Sequence, residues 1–318
     1  MSKDIKKYAQ LALIAQMYYE EGKNQQEISE ETGINRSAIS RLMAEARAKG
    51  IVNIKINYPW RDTELEKKIQ KAFPQIKKVY IPACTDSSYE TMLKTLGFFA
   101  ANYFKEKIKD GMIVGLAWGK AIHRMIENIP YNPLNIELVQ ITGATGHEGI
   151  IKDGSLLSRL LSEKLKCPCQ YLHVPFIVEN QMLSEAMKKE KVIHNTLEYA
   201  KKSDFTFTGL GSTKEGLYTL KETGYITDKE WTEIKKTGAV GDYLGVHYDI
   251  NGKVLDISIN KRLIGNNPDD LKDVPNRVAI AGDQRKAEAI LGAINGHFFN
   301  ILITDNFTAE KVLELSKK

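Results

Sequence analysis

The sequence predicts an α/β protein of two domains, a small helical domain of residues 1–57 and a larger domain of residues 58–318 built on a mostly parallel sheet. Residues 25–42 have the spacing of two short helices joined by a tight turn, as in a helix-turn-helix. From about residue 79 onward, short apolar runs, among them residues 171–174, alternate with helical stretches, among them residues 181–200 and 283–294. Such alternation is typical of a parallel sheet covered by helices on both faces, and 318 residues leave room for both domains.

Four positions in residues 25–42 carry the residue types that a helix-turn-helix requires. Ser29 is small enough to let the helices approach, and Gly33 suits the turn. Ile39 and Leu42 would hold the second helix on the core. This motif places its second helix in the major groove of DNA. An ordinary helical hairpin is the alternative, but four matched positions favour the DNA-binding motif.

The segments around this motif complete the predicted domain. Helices are expected over residues 5–21, 25–32 and 36–49. The inward residues of the first helix are predicted to be Tyr8, Leu11, Ala12, Ala15, Tyr18 and Tyr19, and those of the third Ile39, Leu42, Met43 and Ala46. Val52, Ile54 and Ile56 alternate with polar residues, which predicts a short half-buried strand.

The positive charge of the chain is concentrated where DNA would lie. The net charge of +5 is too small to indicate a polyanionic partner by itself. Residues 35–57, however, carry five basic residues against Glu45 alone, whereas residues 20–31 are acidic. The predicted DNA contacts are Gln25, Gln26, Asn35, Arg36, Ser37, Ser40 and Arg41. Two of these contacts have alternatives, because Asn35 could instead cap the helix and Arg41 could contact phosphate.

The cysteines and the chain start give an expected location. Cys84, Cys167 and Cys169 form no disulfide framework, which fits a reducing cytosol. The spacing of Cys167 and Cys169 does not suit zinc, so both are predicted to be structural, and neither a metal nor a cofactor is expected. No signal peptide or membrane-spanning stretch is evident, so we expect a cytoplasmic protein without membrane contact.

Glycine-containing segments follow several predicted strands. They are residues 115–120, 142–146, 209–212 and 282–286. In parallel sheets ligands bind beyond the carboxyl ends of the strands, so these segments predict backbone amides gathered around an anionic group. None has the pattern of a nucleotide-binding loop, which makes nucleotide binding an unfavourable interpretation.

Motifs over nearly the whole chain resemble the SorC-type regulators of sugar operons, in the order found in that family. Beside residues 25–54, they are Val114-Gly115-Leu116-Ala117-Trp118-Gly119-Lys120, Val240-Gly241-Asp242, Asn260-Lys261-Arg262-Leu263-Ile264-Gly265, Ala281-Gly282-Asp283-Gln284-Arg285-Lys286-Ala287 and Asn300-Ile301-Leu302-Ile303-Thr304-Asp305. The resemblance implies a winged-helix-like DNA-binding domain and a Rossmann-like effector domain related to glucosamine-6-phosphate deaminase and ribose-5-phosphate isomerase. It also implies a homotetramer on double-stranded operator DNA, expected to be a repressor, that responds to a phosphorylated sugar or polyol.

The resemblance assigns effector contacts to Asp242 and Lys286. A carboxylate accepts hydrogen bonds from hydroxyls, and an ammonium pairs with phosphate. Lys286 also begins the predicted helix after Gly282, so its ammonium and the free amides of that helix are predicted to converge on one phosphate position. The full predicted effector site is Gly115, Ala117, Trp118, Gly119, Lys120, Thr142, Gly143, Gly211, Asp242, Arg262, Gly282 and Lys286. Taken alone, Lys286 could be a solvated lysine, Asp242 a turn residue and Arg262 a loop brace.

Two positions depart from the family pattern. Some members that respond to deoxyribose phosphate carry a Schiff-base lysine where this chain has Thr142, which argues against covalent capture there. Ala117 stands where the family usually has a serine, so one polar contact is missing or is replaced by Lys120.

An enzyme of the deaminase and isomerase class is the competing interpretation. The deaminases follow their Gly-x-Gly turn with a histidine-containing segment, whereas residues 209–216 contain no histidine. Proton transfer needs a positioned group of suitable pKa, so a binding function is predicted instead of catalysis. A further open choice concerns residues 64–73, whose stripe of Leu65, Ile69 and Phe73 suits a contact between subunits or packing within one subunit.

Overall fold

The computed structural model describes residues 3–52, 61–84, 88–144 and 153–317. The chain divides into two compact units, Met1–Pro59 and Trp60–Lys318. Within the described ranges, no helix combines the length and apolar character needed to cross a membrane.

The first unit contains the predicted helix-turn-helix. Its helices are α1 (Lys3–Tyr19), α2 (Gln25–Thr32) and α3 (Arg36–Ala48). Asn24 caps α2, and the Glu27 carboxylate in return accepts from the Asn24 amide at 2.8 Å. Gly33 adopts the left-handed conformation at φ 69°, as the turn requires. The core of the unit is formed by Ile14, Met17, Ile28, Ile39 and Met43.

The predicted inward face of α1 was partly wrong. Tyr8 is 48% exposed, and Ala12 and Tyr19 also face solvent. The buried residues are instead Leu11, Ile14, Ala15 and Met17. Apolar residues lie all round α1, so spacing alone could not select the face that α3 covers. The predicted strand containing Ile54 and Ile56 lies outside the described residues.

The second unit is built on a parallel sheet of seven strands in the order β1-β10-β9-β5-β2-β3-β4. These strands are β1 (Lys78–Tyr80), β2 (Ile113–Leu116), β3 (Glu137–Gln140), β4 (Cys169–Gln170), β5 (Phe205–Thr208), β9 (Asn276–Ile280) and β10 (Ile301–Ile303). A smaller antiparallel sheet consists of β6 (Gly211–Ser212), β7 (Gly241–Tyr243) and β8 (Val246–Tyr248).

Helices cover both faces of the large sheet. They are α4 (Thr63–Ala72), α5 (Tyr89–Lys107), α6 (Lys120–Asn128), α7 (Gly154–Leu165), α8 (Gln181–Lys189), α9 (Lys191–Ala200), α10 (Thr219–Glu222), α11 (Asp228–Lys236), α12 (Ser258–Arg262), α13 (Ala287–Asn295) and α14 (Asn306–Leu315). Alternate strand residues enter two cores: Ile301 and Ile303 pack with α5, α6 and α7, whereas Leu302 packs with α4, α13 and α14. The expected two-sided α/β architecture is confirmed.

Several predicted elements differ in detail. The helix expected over residues 181–200 is interrupted at Glu190, whose ψ of 131° ends α8 and begins α9. The strand expected at residues 171–174 is absent from that described segment, where β4 covers only Cys169–Gln170. The helix expected over residues 283–294 begins as a 3-10 turn at Gln284–Lys286. The antiparallel sheet was not predicted, because strands of two or three residues are too short for a periodic pattern.

Helix α4 packs within its own unit. Leu65, Ile69 and Phe73 are buried in the core beside α14 and β1. Glu66 fixes the start of the helix, because it pairs with Arg61 and also accepts from the Ile81 amide at 2.9 Å. The open choice for the apolar stripe is therefore settled in favour of packing within one subunit.

Candidate functional site

A cavity opens at the carboxyl ends of three adjacent strands of the large sheet, β2, β5 and β9. Residues immediately following each strand line it: Ala117 after β2, Gly209 after β5 and Ala281 after β9. The strand order reverses between β2 and β5, which is where ligands bind in open parallel sheets.

The cavity has about 760 Å³ of empty space, including space open to solvent. Its lining combines glycine backbone, aliphatic walls and a few polar groups. The lining residues are Tyr89, Leu93, Ala117, Trp118, Gly119, Lys120, Ala121, Gly209, Leu210, Gly211, Leu217, Thr219, Asp242, Leu244, Gly245, Ile280, Ala281, Gly282 and Lys286.

The amino terminus of α6 enters the cavity without a side-chain cap. Gly119 occupies the cap position at φ 133°, a conformation that favours glycine, and it offers no side-chain acceptor to the first turn. Lys120 follows as the first helical residue, with its ammonium 5.5 Å from the centre of the Tyr89 ring and 3.7 Å from Glu222. The helix dipole and the ammonium together make this corner of the cavity electropositive.

Lys286 contributes the second ammonium of the cavity. Its Nζ donates to the carbonyl oxygen of Leu210 at 2.9 Å, which ties the loop after β9 to the loop after β5. Burial lowers the pKa of Lys286, and nearby Asp242 partly opposes that shift. An anionic ligand would remove the penalty for charging this buried amine.

The sequence had led us to expect free backbone amides ahead of α13. In the structure these amides are hydrogen-bonded. The Lys286 and Ala287 amides bond to Asp283 and Gln284 carbonyls within the 3-10 turn, and Asp283 caps that turn. The predicted convergence of free helix amides on Lys286 is therefore wrong. The start of α6 carries no side-chain cap, and among the described lining residues the same is true of the starts of α10 at Thr219 and of α13 at Lys286.

Asp242 lies on β7, opposite Gly211 on β6 and His247 on β8. A Cβ at Gly211 would come within 2.0 Å of the Asp242 carboxylate, so any larger residue there would displace that carboxylate. Burial raises the pKa of Asp242, while His247 and Lys286 oppose that rise. The carboxylate is thus a buried acceptor next to the cavity, rather than a solvated turn residue.

A buried hydrogen-bond network supports the hairpin behind Asp242. The Asn260 side-chain amide donates to two carbonyl oxygens, so its Oδ1 accepts from the His247 amide at 2.8 Å and from His247 Nδ1 at 3.0 Å. His247 Nε2 then accepts from the Tyr218 hydroxyl. Burial lowers the pKa of His247, consistent with a neutral ring.

Eight of the predicted effector residues line the cavity: Ala117, Trp118, Gly119, Lys120, Gly211, Asp242, Gly282 and Lys286. Four predicted residues do not. Gly115 lies inside the sheet against Ile141 and Thr206 side chains, and Gly143 donates to the Ile264 carbonyl.

Thr142 and Arg262 are the other two residues outside the lining. Thr142 is fully buried beside Gly265, with which it forms an isolated bridge. Arg262 donates to the Val178 carbonyl at 2.8 Å and pairs with Glu230 at 3.0 Å, so it braces loops. Neither orientation follows from residue type, because both depend on how distant loops pack.

Sequence reasoning missed several lining residues, including Tyr89, Leu93, Leu217, Thr219 and Leu244. They come from α5, from α10 and the segment before it, and from the turn between β7 and β8, which tertiary packing brings to the sheet edge. Gly209 and Leu210 belong to a predicted glycine segment and could have been included on that signal.

The cysteines lie away from this cavity. Cys84 and Cys167 are buried, and burial raises the pKa of Cys169 to about 12, so its thiol is unreactive at neutral pH. Groups of three or more potential metal ligands are absent from the part of the chain that the structure describes.

In the first unit, α3 presents an exposed face of small and basic residues. Its exposed residues are Arg36, Ser37, Ser40, Arg41, Ala44, Arg47 and Ala48, and the opposite face is buried. Small side chains let a helix approach a groove closely, and arginines reach bases and phosphates. Glu45 pairs with Lys7 and Lys49, so it does not neutralise these arginines. The face is suited to DNA.

The other predicted DNA contacts lie at helix starts. Asn35 caps α3 by accepting from the Ala38 amide at 2.8 Å, and the Ser37 hydroxyl donates to the same Asn35 oxygen. Asn35 therefore acts as a helix cap, which was the alternative role for this residue. Gln26 is exposed and donates to Glu30, and Gln25 is half-buried at the start of α2.

Comparison with known proteins agrees with this architecture. Residues 59–314 match the family described as "Putative sugar-binding domain", and residues 11–49 match sigma-70 region 4, a helix-turn-helix region. The deoxyribonucleoside regulator of Bacillus subtilis (strain 168) is 28% identical over 300 residues, covering 94% of this chain and 95% of that protein. The sorbitol operon regulator of Klebsiella pneumoniae is 26% identical over 307 residues, covering 95% and 96% respectively.

A solved structure shares both units. The crystal structure of the full-length sorbitol operon regulator SorC from Klebsiella pneumoniae aligns with a TM-score of 0.72 and 27% identity, covering 98% of this chain and all of that one. The family match, the helix-turn-helix and the near-complete alignments agree in their order along the chain. The chain therefore belongs to the sugar-binding domain family, as a SorC-type transcriptional regulator.

Proposed function

We propose that a phosphorylated sugar or polyol binds in the cavity and controls binding of the first unit to operator DNA of a carbohydrate-metabolism operon. One observation carries the proposal: the uncapped start of α6 and the ammonium groups of Lys120 and Lys286 line the same cavity. Helix amides and ammonium groups are the usual protein partners of phosphate.

The rest of the lining suits the sugar part of such a ligand. Asp242 offers a carboxylate to hydroxyl groups. Leu93, Leu217 and Leu244 form aliphatic walls, and Ala117 adds an apolar contact where the family usually has a serine. We infer a ligand with one charged end and a compact, partly apolar body. Its binding would use Lys286 and the α6 start for the phosphate, and Asp242 for a hydroxyl.

A thermal-shift screen tests this function. Candidate pentose, hexose and polyol phosphates are each compared with the same unphosphorylated compound and with inorganic phosphate. A ligand that binds only the folded state at one hundred times its Kd stabilises it by about 2.7 kcal/mol, which raises the melting temperature. We expect a rise with one class of sugar phosphate and none with its unphosphorylated form. Equal shifts with both forms would show that phosphate is not recognised.

The positive compound is then added to a DNA-binding titration on promoter DNA. We expect the affinity for DNA to change, and the sign of the change separates release from recruitment. A constitutive DNA-binding protein would show no change. Turnover of the compound, followed by NMR, would instead support the isomerase or deaminase interpretation; the described cavity lining contains no histidine to act as acid or base.

We further propose that the protein is a cytoplasmic repressor that binds its operator as a homotetramer. The resemblance to the SorC family supports this scheme, as does the exposed basic face of α3. Paired helix-turn-helix units bind half-sites separated by whole helical turns of about 10 base pairs. Footprinting on the promoter should therefore protect repeated half-sites, and added effector should remove that protection.

A further inference from the structure

Residues 213–238, most of the connection from β6 to β7, form a compact excursion that we call the arm. It contains α10 and α11 and has buried side chains of its own. Tyr218, Leu220 and Ile226 pack in one cluster with Phe176 and Val246 of the surrounding unit. The arm is therefore a packed substructure, so a force on one part of it is transmitted to the rest.

The arm contacts the cavity in two ways, through lining residues and through an ion pair. Leu217 and Thr219 line the cavity directly. At the end of α10, the Glu222 carboxylate lies 3.7 Å from the ammonium of Lys120, and both side chains are partly exposed. Glu222 thus places a negative charge beside the electropositive start of α6, in the corner where the proposed function places a phosphate.

We propose that Glu222 is an internal competitor of the effector: it holds Lys120 in the ligand-free protein, and the effector's phosphate displaces it and shifts α10. The inference rests on the proposed function and adds a regulatory contact to the same cavity. A phosphate at Lys120 would bring a second anion next to Glu222, and like charges repel at this range. Because Glu222 belongs to the arm, its displacement moves the arm.

Both ends of α10 are anchored, the start through Tyr218 and the end through buried Thr223, whose hydroxyl donates to the Thr219 and Leu220 carbonyl oxygens. Tyr218, directly before the helix, donates to buried His247, whereas Gly224 follows the helix at φ 75°. The movement is therefore expected as a pivot between the anchored Tyr218 and the Gly224 turn.

The fluorescence emission of Trp231 in α11 should report this movement of α10. Lys221, the neighbour of Glu222, has its ammonium 3.7 Å from the centre of the Trp231 ring and pairs with Asp228 at 2.8 Å. A shift of α10 changes the position of this charge over the indole and hence its emission. Its emission is isolated by subtracting the spectrum of the Trp231→Phe variant from that of the protein with all three tryptophans, which leaves Trp118 of the cavity lining in place.

The test compares Glu222→Gln with Glu215→Gln, an exposed carboxylate of the same arm. The affinity for the sugar phosphate that stabilises the wild type is measured by calorimetry, with inorganic phosphate as a second probe. Exposed ion pairs contribute little, so Glu222→Gln should tighten binding by about two- to fivefold, and Glu215→Gln should leave it unchanged. In the Trp231 difference spectrum, Glu222→Gln without ligand should already show the emission of the ligand-bound wild type.

The outcomes separate the two proposals. Tighter binding together with the preset Trp231 emission supports the competitor role. Weaker binding of the Glu222→Gln variant would mean that Glu222 holds the ligand, and unchanged binding would make it a bystander; either result overturns the inference while the proposed function stands. Failure of the wild type to bind any sugar phosphate or inorganic phosphate would overturn both.

Discussion

At the scale of single residues, the cavity places two opposite charges where burial disfavours both. Burial raises the pKa of Asp242 and lowers that of Lys286, and each group partly offsets the shift of the other. Unfavourable burial of ionisable groups is frequent at ligand sites, because the ligand supplies the missing partner. Two testable consequences follow for these two residues.

Lys286→Ala should weaken effector binding by about one to two decades, because a charge-assisted contact contributes roughly 1.5–3 kcal/mol. DNA affinity without effector should change little, so the variant should keep its effector-free behaviour. The measurement is a promoter-binding titration with and without the sugar phosphate, with Lys272→Ala, an exposed lysine paired with Asp269, as the matched control. A Lys286→Ala variant that responds at the wild-type concentration would place the phosphate elsewhere.

Asp242→Asn should change how stability depends on pH. The folded-state pKa of Asp242 lies above the ordinary value of 3.8, so the folded state binds its proton more tightly than the unfolded state does. The stability contributed by this group is present below pH 3.8 and is lost at about 1.4 kcal/mol per pH unit as pH rises toward the folded-state pKa. As pH rises from 3.8 to the folded-state pKa, we expect the melting temperature of Asp242→Asn to increase relative to that of the wild type. Above the folded-state pKa this difference in melting temperature should stay constant.

The control for that experiment is Asp269→Asn, because Asp269 is an exposed carboxylate. Its melting temperature should differ from that of the wild type by a small amount across the same pH range. If Asp242→Asn is as insensitive to pH as this control, the Asp242 carboxylate is not penalised by burial.

At the scale of elements, the decisive features are the starts of α3 and α6. Asn35 caps α3 and so stabilises the first turn, which carries the exposed Arg36. Gly119 leaves α6 without a side-chain cap, so its amides remain available to a ligand. The first helical amides are thus capped by a side chain at the start of α3, whereas no side chain caps them at the start of α6.

Arg36→Ala combined with Arg41→Ala should weaken promoter binding, because both residues lie on the exposed face of α3. Each lost phosphate contact should reduce the slope of log affinity against log salt concentration by about one. Anisotropy titrations at several salt concentrations measure both effects, and Lys6→Ala on α1 provides a single charge change elsewhere in the unit. Unchanged affinity in the double variant would refute the assignment of α3 as the recognition helix.

Asn35 can act as a cap or as a base contact, and two substitutions separate these roles. Asn35→Ala should lose about 0.5–2 kcal/mol of stability through the missing cap, whereas Asn35→Ser keeps a capping oxygen. If Asn35 acts only as a cap, the serine variant should restore both stability and DNA affinity. Restored stability with lost affinity in Asn35→Ser would identify a direct contact with a base, which thermal melts and promoter titrations together would reveal.

At the scale of the whole molecule, the parallel sheet provides the frame and the loops provide the site. Seven strands form one sheet, and three adjacent carboxyl ends supply most of the glycine backbone of the cavity. The apolar stripe of α4 is used inside its own unit, so α4 does not supply an apolar surface for another subunit. Other surfaces must hold the proposed assembly together.

Light scattering at micromolar concentration should give a mass of four times 35.9 kDa if the proposed homotetramer is correct. A single half-site seldom gives sufficient affinity for an operator, so multiple DNA-binding units are expected in one particle. Addition of the effector should leave the mass unchanged or convert it to a dimer. A monomer under all these conditions would contradict the regulatory scheme as a whole.

The sequence by itself determined the helix-turn-helix, the two-sided parallel sheet and much of the cavity. These features depend on local signals: Gly33 at a left-handed turn, helical spacing in α3, and apolar strands that end in glycine. The family motifs also named the two charged residues, Asp242 and Lys286, that the fold brings to one cavity.

Only the tertiary structure decided which of the candidates lie together. Thr142 and Arg262 have suitable chemistry but are fixed by contacts with Gly265, Val178 and Glu230. Tyr89, Leu217 and Glu222 come from segments remote in sequence, and no local pattern marks them. Periodicity reports the conformation of neighbouring residues, whereas a binding site is formed by the packing of distant ones.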